Sequence, residues 1–78
     1  MDKTLSSLKQ AESLVKKAIE SLYQSKKLLL NVENDEISDE ISDLIRFVTD
    51  TQFAADKATY KLYFSVRRQE KRIREKAE

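Results

Sequence analysis

The chain reads as an all-α protein, a long antiparallel helical hairpin, and three observations predict this. It contains no glycine and no proline, the residues that ordinarily supply positive φ, tight turns and helix stops. Charged residues make up 37% of it and apolar ones 40%, a balance typical of long helices packed through one stripe. Apolar residues recur at alternating three- and four-residue steps through most of its length.

The first helix is expected from about residue 4 to about 31. Leu5, Leu8, Ala11, Val15, Ala18, Ile19, Leu22 and Leu29 share one face of it. Asp2 or Thr4 can cap its start, and Ser7 with Gln10 forms a second candidate capping box. The bend is expected at about 32–35, because Asn31 to Asp35 is where turn-forming residues cluster between two periodic runs. Asn34 or Asp35 then caps the second helix, expected over about 36–76. Glu36, Asp39 and Glu40 fall in its first turns, where negative charge complements the helix dipole.

Ile37, Ile41, Leu44, Ile45, Val48, Gln52, Ala55, Thr59, Leu62, Val66, Gln69 and Ile73 carry the stripe along the second helix. Thr49-Asp50-Thr51-Gln52 ahead of Phe53 resembles a capping box that would divide it. The stripe crosses that segment without a change of phase, so one continuous helix is expected. Pairing about the bend sets Leu22 near Ile45 and Leu8 near Leu62. The longer second helix then leaves residues from about 64 to 78 as a basic, overhanging end of a single 1–78 domain.

A core this small supplies only about 3–5 kcal/mol unless something supplements it. There is no cysteine and no histidine, so disulfides and thiolate or imidazole zinc sites are excluded. The acidic set Glu33, Asp35, Glu36, Asp39, Glu40 and Asp43 lacks the glycine and the oxygen spacing of a calcium loop and reads as a solvated face. No metal and no cofactor is expected. Association is what remains, and the hairpin is expected to dimerise into a four-helix bundle. Glu12, Lys26, Gln52 and Thr59 at seam positions suit a role in fixing register, while Ala11, Ala18, Ala55 and Ala58 allow helices to approach closely.

A second stripe on the second helix, Phe53, Tyr60, Phe64, Arg67, Lys71 and Arg74, lies well away from the seam. The first helix is also apolar over more than one stripe, with Leu14 and Leu28 flanking its seam on one side and Leu5, Tyr23 and Leu30 on the other. Leu14, Leu28, Phe53, Tyr60 and Phe64 are therefore the expected interface for a second copy or another helical protein. Arg67, Arg68, Lys71, Arg72 and Arg74 form the expected basic contact surface. Bases beside aromatic rings also suit a nucleic-acid-binding dimer, the alternative reading, although Glu70 and Glu75 interrupt them at ordinary intrahelical spacing.

No histidine, cysteine or glycine-rich phosphate loop is available for catalysis, and a thin hairpin offers little concavity. Neither an enzyme nor a small-molecule site is expected. The longest purely aliphatic run is Leu28-Leu29-Leu30, so the reading is cytoplasmic with no membrane partner. The expected function is a non-enzymatic helical protein–protein interaction module: an adaptor, small chaperone or inhibitor. No residue motif assigns a family, and hairpin shape alone transfers no function.

Overall fold

The computed structural model describes residues 2–77; Met1 and Glu78, the ends of the expected 1–78 domain, lie outside the described residues. Helix α1 (Lys3–Leu30) and helix α2 (Ser38–Ala77) run antiparallel, joined by a loop and a short 3₁₀ turn (Asp35–Ile37). No strand occurs among the described residues. The hairpin measures 65 × 16 × 13 Å, a flat rod with two broad faces.

Asp2, rather than Thr4, caps α1. Its backbone is extended and its carboxylate accepts the Leu5 N–H at 3.0 Å, while its carbonyl accepts the Ser6 N–H at 3.1 Å. At the other end the chain tightens without a glycine. Asn31 and Val32 donate to the carbonyls three residues back, Leu28 and Leu29, each at 3.2 Å, which satisfies carbonyls that the next helical turn would otherwise have used. Asn34 then starts the return, its side chain accepting the Glu36 N–H at 3.0 Å. The expected helix from residue 36 is thus helical from its start, with its first turn wound as 3₁₀ before Ser38 continues in α geometry.

Thr49 to Gln52 makes no break in the 40-residue α2. Thr49 and Thr51 donate their hydroxyls back to the carbonyls of Ile45 and Phe47, each at 2.8 Å, so the would-be capping residues sit in the helix interior. Thr59 does the same to Ala55 at 3.0 Å, which satisfies its hydroxyl within the seam.

The basic overhang starts later than residue 64. Gln69 Nε2 donates to the Asp2 carboxylate at 3.1 Å, and Lys9 Nζ lies 4.0 Å from Glu70. Val66, inside the segment expected to project, is the most enclosed apolar residue of the hairpin, 7% exposed. The seam phase runs unbroken through Val66, Gln69 and Ile73, and Asp2 reaches across from the first turn of α1. Only about the last two turns project.

The Leu5 N–H, aided by the Gln69 amide, holds the Asp2 carboxyl below the ordinary aspartate range. Because folding lowers this pKa, its contribution is full above the unfolded value of about 3.9 and is lost as pH falls through the lower folded value. The change Asp2→Asn keeps a capping oxygen and removes the charge. Its urea midpoint is therefore expected to fall less than that of the parent between pH 7 and pH 3; equal falls would contradict the role given to Asp2.

Packing between the helices is thin. Leu8, Val15, Ile19 and Leu22 of α1 and Ile41, Ile45, Val48 and Leu62 of α2 meet along the seam, yet all are only half-buried. Two helices alone can cover one side of each other, and this seam has no third helix above it.

Candidate interaction surfaces

With no enclosed core, the side chains that matter are those the hairpin leaves in water. Their placement follows from the seam repeat and from how the helices pair. A shallow groove shared by Glu12 and Lys16 of α1 with Asp56, Thr59, Tyr60 and Tyr63 of α2 marks one broad face. At about 100° per residue, Leu14 lies on the opposite flank of α1 from Lys16, and Ala54 and Ala58 lie on the opposite flank of α2 from Asp56 and Tyr63.

That opposite face carries a second three-four repeat on each helix. On α1 it is Ala11, Leu14, Ala18, Ser21, Ser25 and Leu28; on α2 it is Leu44, Phe47, Thr51, Ala54 and Ala58. Neither run contains a charged residue. Leu14, Phe47 and Leu28 stand 64%, 66% and 69% exposed. Ala18 lies on this face in solvent and does not narrow the α1–α2 seam.

Phe53, Tyr60 and Phe64 are equally open, at 68%, 70% and 53% exposed, but they lie elsewhere. They occupy the outer side of α2, turned toward the face that holds the Glu12–Tyr63 groove. The five residues expected to form one interface therefore divide into two sets: Leu14 and Leu28 on one broad face, and the three rings around the edge from it. No single flat partner helix touches both sets.

The basic surface is exposed at Arg67, Arg68, Lys71, Arg72 and Arg74, and much of it is already engaged along α2. Arg67 holds its guanidinium 5.7 Å from the centre of the Tyr63 ring, and Tyr63 meets Phe64 edge-on with centroids 5.5 Å apart. Arg68 donates to Ser65 at 3.2 Å and Arg72 to Gln69 at 3.1 Å. Arg74 borders a shallow groove with Leu5, Arg67, Glu70 and Ile73.

At the opposite end Glu33, Asp35, Glu36, Asp39, Glu40 and Asp43 all face solvent, with Asp43 paired to Arg46. Among the described residues no three acidic side chains converge as a metal-binding group. Among them, too, no helix is long and apolar enough to cross a membrane.

Phe47 was not among the residues that the sequence marked as an interface, and Leu44 and Ile37, expected within the seam stripe, are both exposed, Leu44 on the face that carries Leu14 and Leu28. The signal was present as a second heptad stripe offset by one position from the seam, and it becomes visible once the two helices are known to share a face. No protein family, curated protein or solved structure matches this chain.

Proposed function

We propose that the chain is a non-enzymatic helical protein–protein interaction module that first associates with a second copy of itself and then acts as an adaptor, small chaperone or inhibitor. One observation carries this reading. Side chains as large as Leu14, Leu28, Phe47, Phe53 and Tyr60 stand more than half exposed, while Val66 is the one buried apolar residue among the described residues. Leu14, Leu28 and Phe47 share one broad face, and an apolar patch of a few hundred Å2 rimmed by polar residues is the kind of surface that marks a protein–protein contact. The hairpin is half of a structure, and its natural completion is another pair of helices. In this reading Phe53, Tyr60 and Phe64 desolvate against a helical partner that carries acidic side chains, which Arg67, Arg68 and Lys71 steer into place.

Helix formation and association are then one process. The midpoint of thermal unfolding, followed by far-UV circular dichroism, is expected to rise by about 5–10 °C over a hundredfold increase in protein concentration. A midpoint independent of concentration would sink the reading.

A nucleic-acid-binding dimer draws on Tyr63, Phe64 and Arg67 standing together at the basic end. It requires binding to duplex, RNA or single strands that weakens steeply with salt and disappears when Arg67, Arg68, Lys71 and Arg72 become Glu. Glu70 and Glu75, interspersed among these bases at ordinary intrahelical spacing, favour the protein-binding reading.

A further inference from the structure

We infer that the charge-free broad face seats a second copy of the chain in antiparallel orientation, the bend of one hairpin lying toward the open end of the other, about a two-fold axis that passes near Ala18 and Ser21 of α1 and near Thr51 of α2. The inference rests on the reading that a second copy completes the hairpin, and it names the face and the geometry.

Three observations support it. The first is charge. Residues 33 to 43 carry six acids and no base, and residues 67 to 78 carry six bases against three acids, at opposite ends of a rod 65 Å long. Parallel stacking would set acid on acid and base on base. Antiparallel stacking sets each acidic bend over the basic half of the other copy, and the rim residue Glu40 then comes level with the other copy's stretch from Lys61 to Arg68.

The second is the size pattern within the stripes. Run antiparallel against itself, the α1 stripe places Leu28 over Ala11, Leu14 over Ser25 and Ala18 over Ser21. The α2 stripe likewise places Leu44 over Ala58 and Phe47 over Ala54, with Thr51 at the centre. Large side chains meet small ones in both, which lets the helices interdigitate.

The third is that the two stripes agree on one axis. The Asp2–Gln69 bond and the groove shared by Glu12 and Thr59 fix the hairpin register. In that register the midpoint of the α1 stripe and the midpoint of the α2 stripe lie level to within about two residues. A single rotation therefore satisfies both helices.

The charge-free stretch is about 25 Å long, on a face 16 Å wide. That is about 400 Å2, half of the roughly 800 Å2 per partner of a stable interface, and the charged rims supply the remainder.

The chain has no cysteine, so a single Glu33→Cys change in the exposed bend accepts one spin label per copy. Pulsed dipolar spectroscopy on the full chain, with sedimentation equilibrium on the same sample, is the test. The expected result is a mass of two chains with the labels about 40 Å apart. A two-chain mass with labels closer than about 20 Å would overturn the antiparallel geometry while leaving self-association intact. A one-chain mass would overturn the self-association reading, and the inference with it. The face is tested separately: Phe47→Glu is expected to weaken association at least a hundredfold, whereas Phe53→Ser with Tyr60→Ser leaves the mass unchanged. The reverse pattern would move the interface to the aromatic stripe and overturn the assignment.

Discussion

Replacing Val66 with Asp is expected to abolish most of the helical circular dichroism of the chain at micromolar concentration. Val66 is 7% exposed, where every other apolar residue described here is half-buried or open. An unpaired carboxylate there would cost several kcal/mol. A core of this size supplies only about 3–5 kcal/mol, so the substitution consumes most or all of the stability. Val66→Ala is the milder companion, with an expected loss of about 1–2 kcal/mol from the methyl groups removed. A Val66→Asp chain as helical as the parent would show that the open end of the hairpin is not packed as described, and that the overhang begins near residue 64 after all.

The second large effect is expected at Leu14 and Leu28. Changing both to Lys preserves helix propensity and removes two side chains that are 64% and 69% exposed in the hairpin. In an isolated hairpin such a surface change is close to neutral. In the proposed dimer each side chain would be buried and contribute about 1.5–3 kcal/mol, and each would appear twice, so self-association should weaken by well over a thousandfold. Size-exclusion chromatography with light scattering reads the difference directly. Unchanged mass at matched concentration would remove this face from the interface.

Much of the fold was legible in the sequence, because helices without Gly or Pro leave few alternatives and because a three-four stripe fixes which face turns inward. The bend at Asn31 to Asn34 and the continuity of α2 through Thr49 to Gln52 both follow from that logic. The threonines show why a motif yields to phase: Thr49 and Thr51 have capping chemistry, yet with the seam continuing on both sides their hydroxyls bond inward to the preceding turn.

The end of the seam was harder to place. Gln69 and Ile73 were already in phase, but only the bond from Gln69 to Asp2 shows that α1 begins early enough to meet them. The interaction surfaces were legible as residues and not as faces. Distance around a helix from its own seam says that Leu14, Leu28, Phe53 and Tyr60 are exposed. Whether two of them share a side of the molecule depends on how antiparallel helices map onto each other, and that mapping sends Leu14 and Leu28 to join Phe47 while Phe53 and Tyr60 go around the edge.

Sedimentation equilibrium of the unmodified chain, over a hundredfold range of concentration at two salt concentrations, decides whether this hairpin is half of a dimer. The expected result is a mass of two chains, with dissociation on dilution accompanied by loss of helicity and with weaker association at high salt, where the attraction between acidic bends and basic ends is screened. A mass of one chain at the highest concentration, with helicity undiminished, would contradict it.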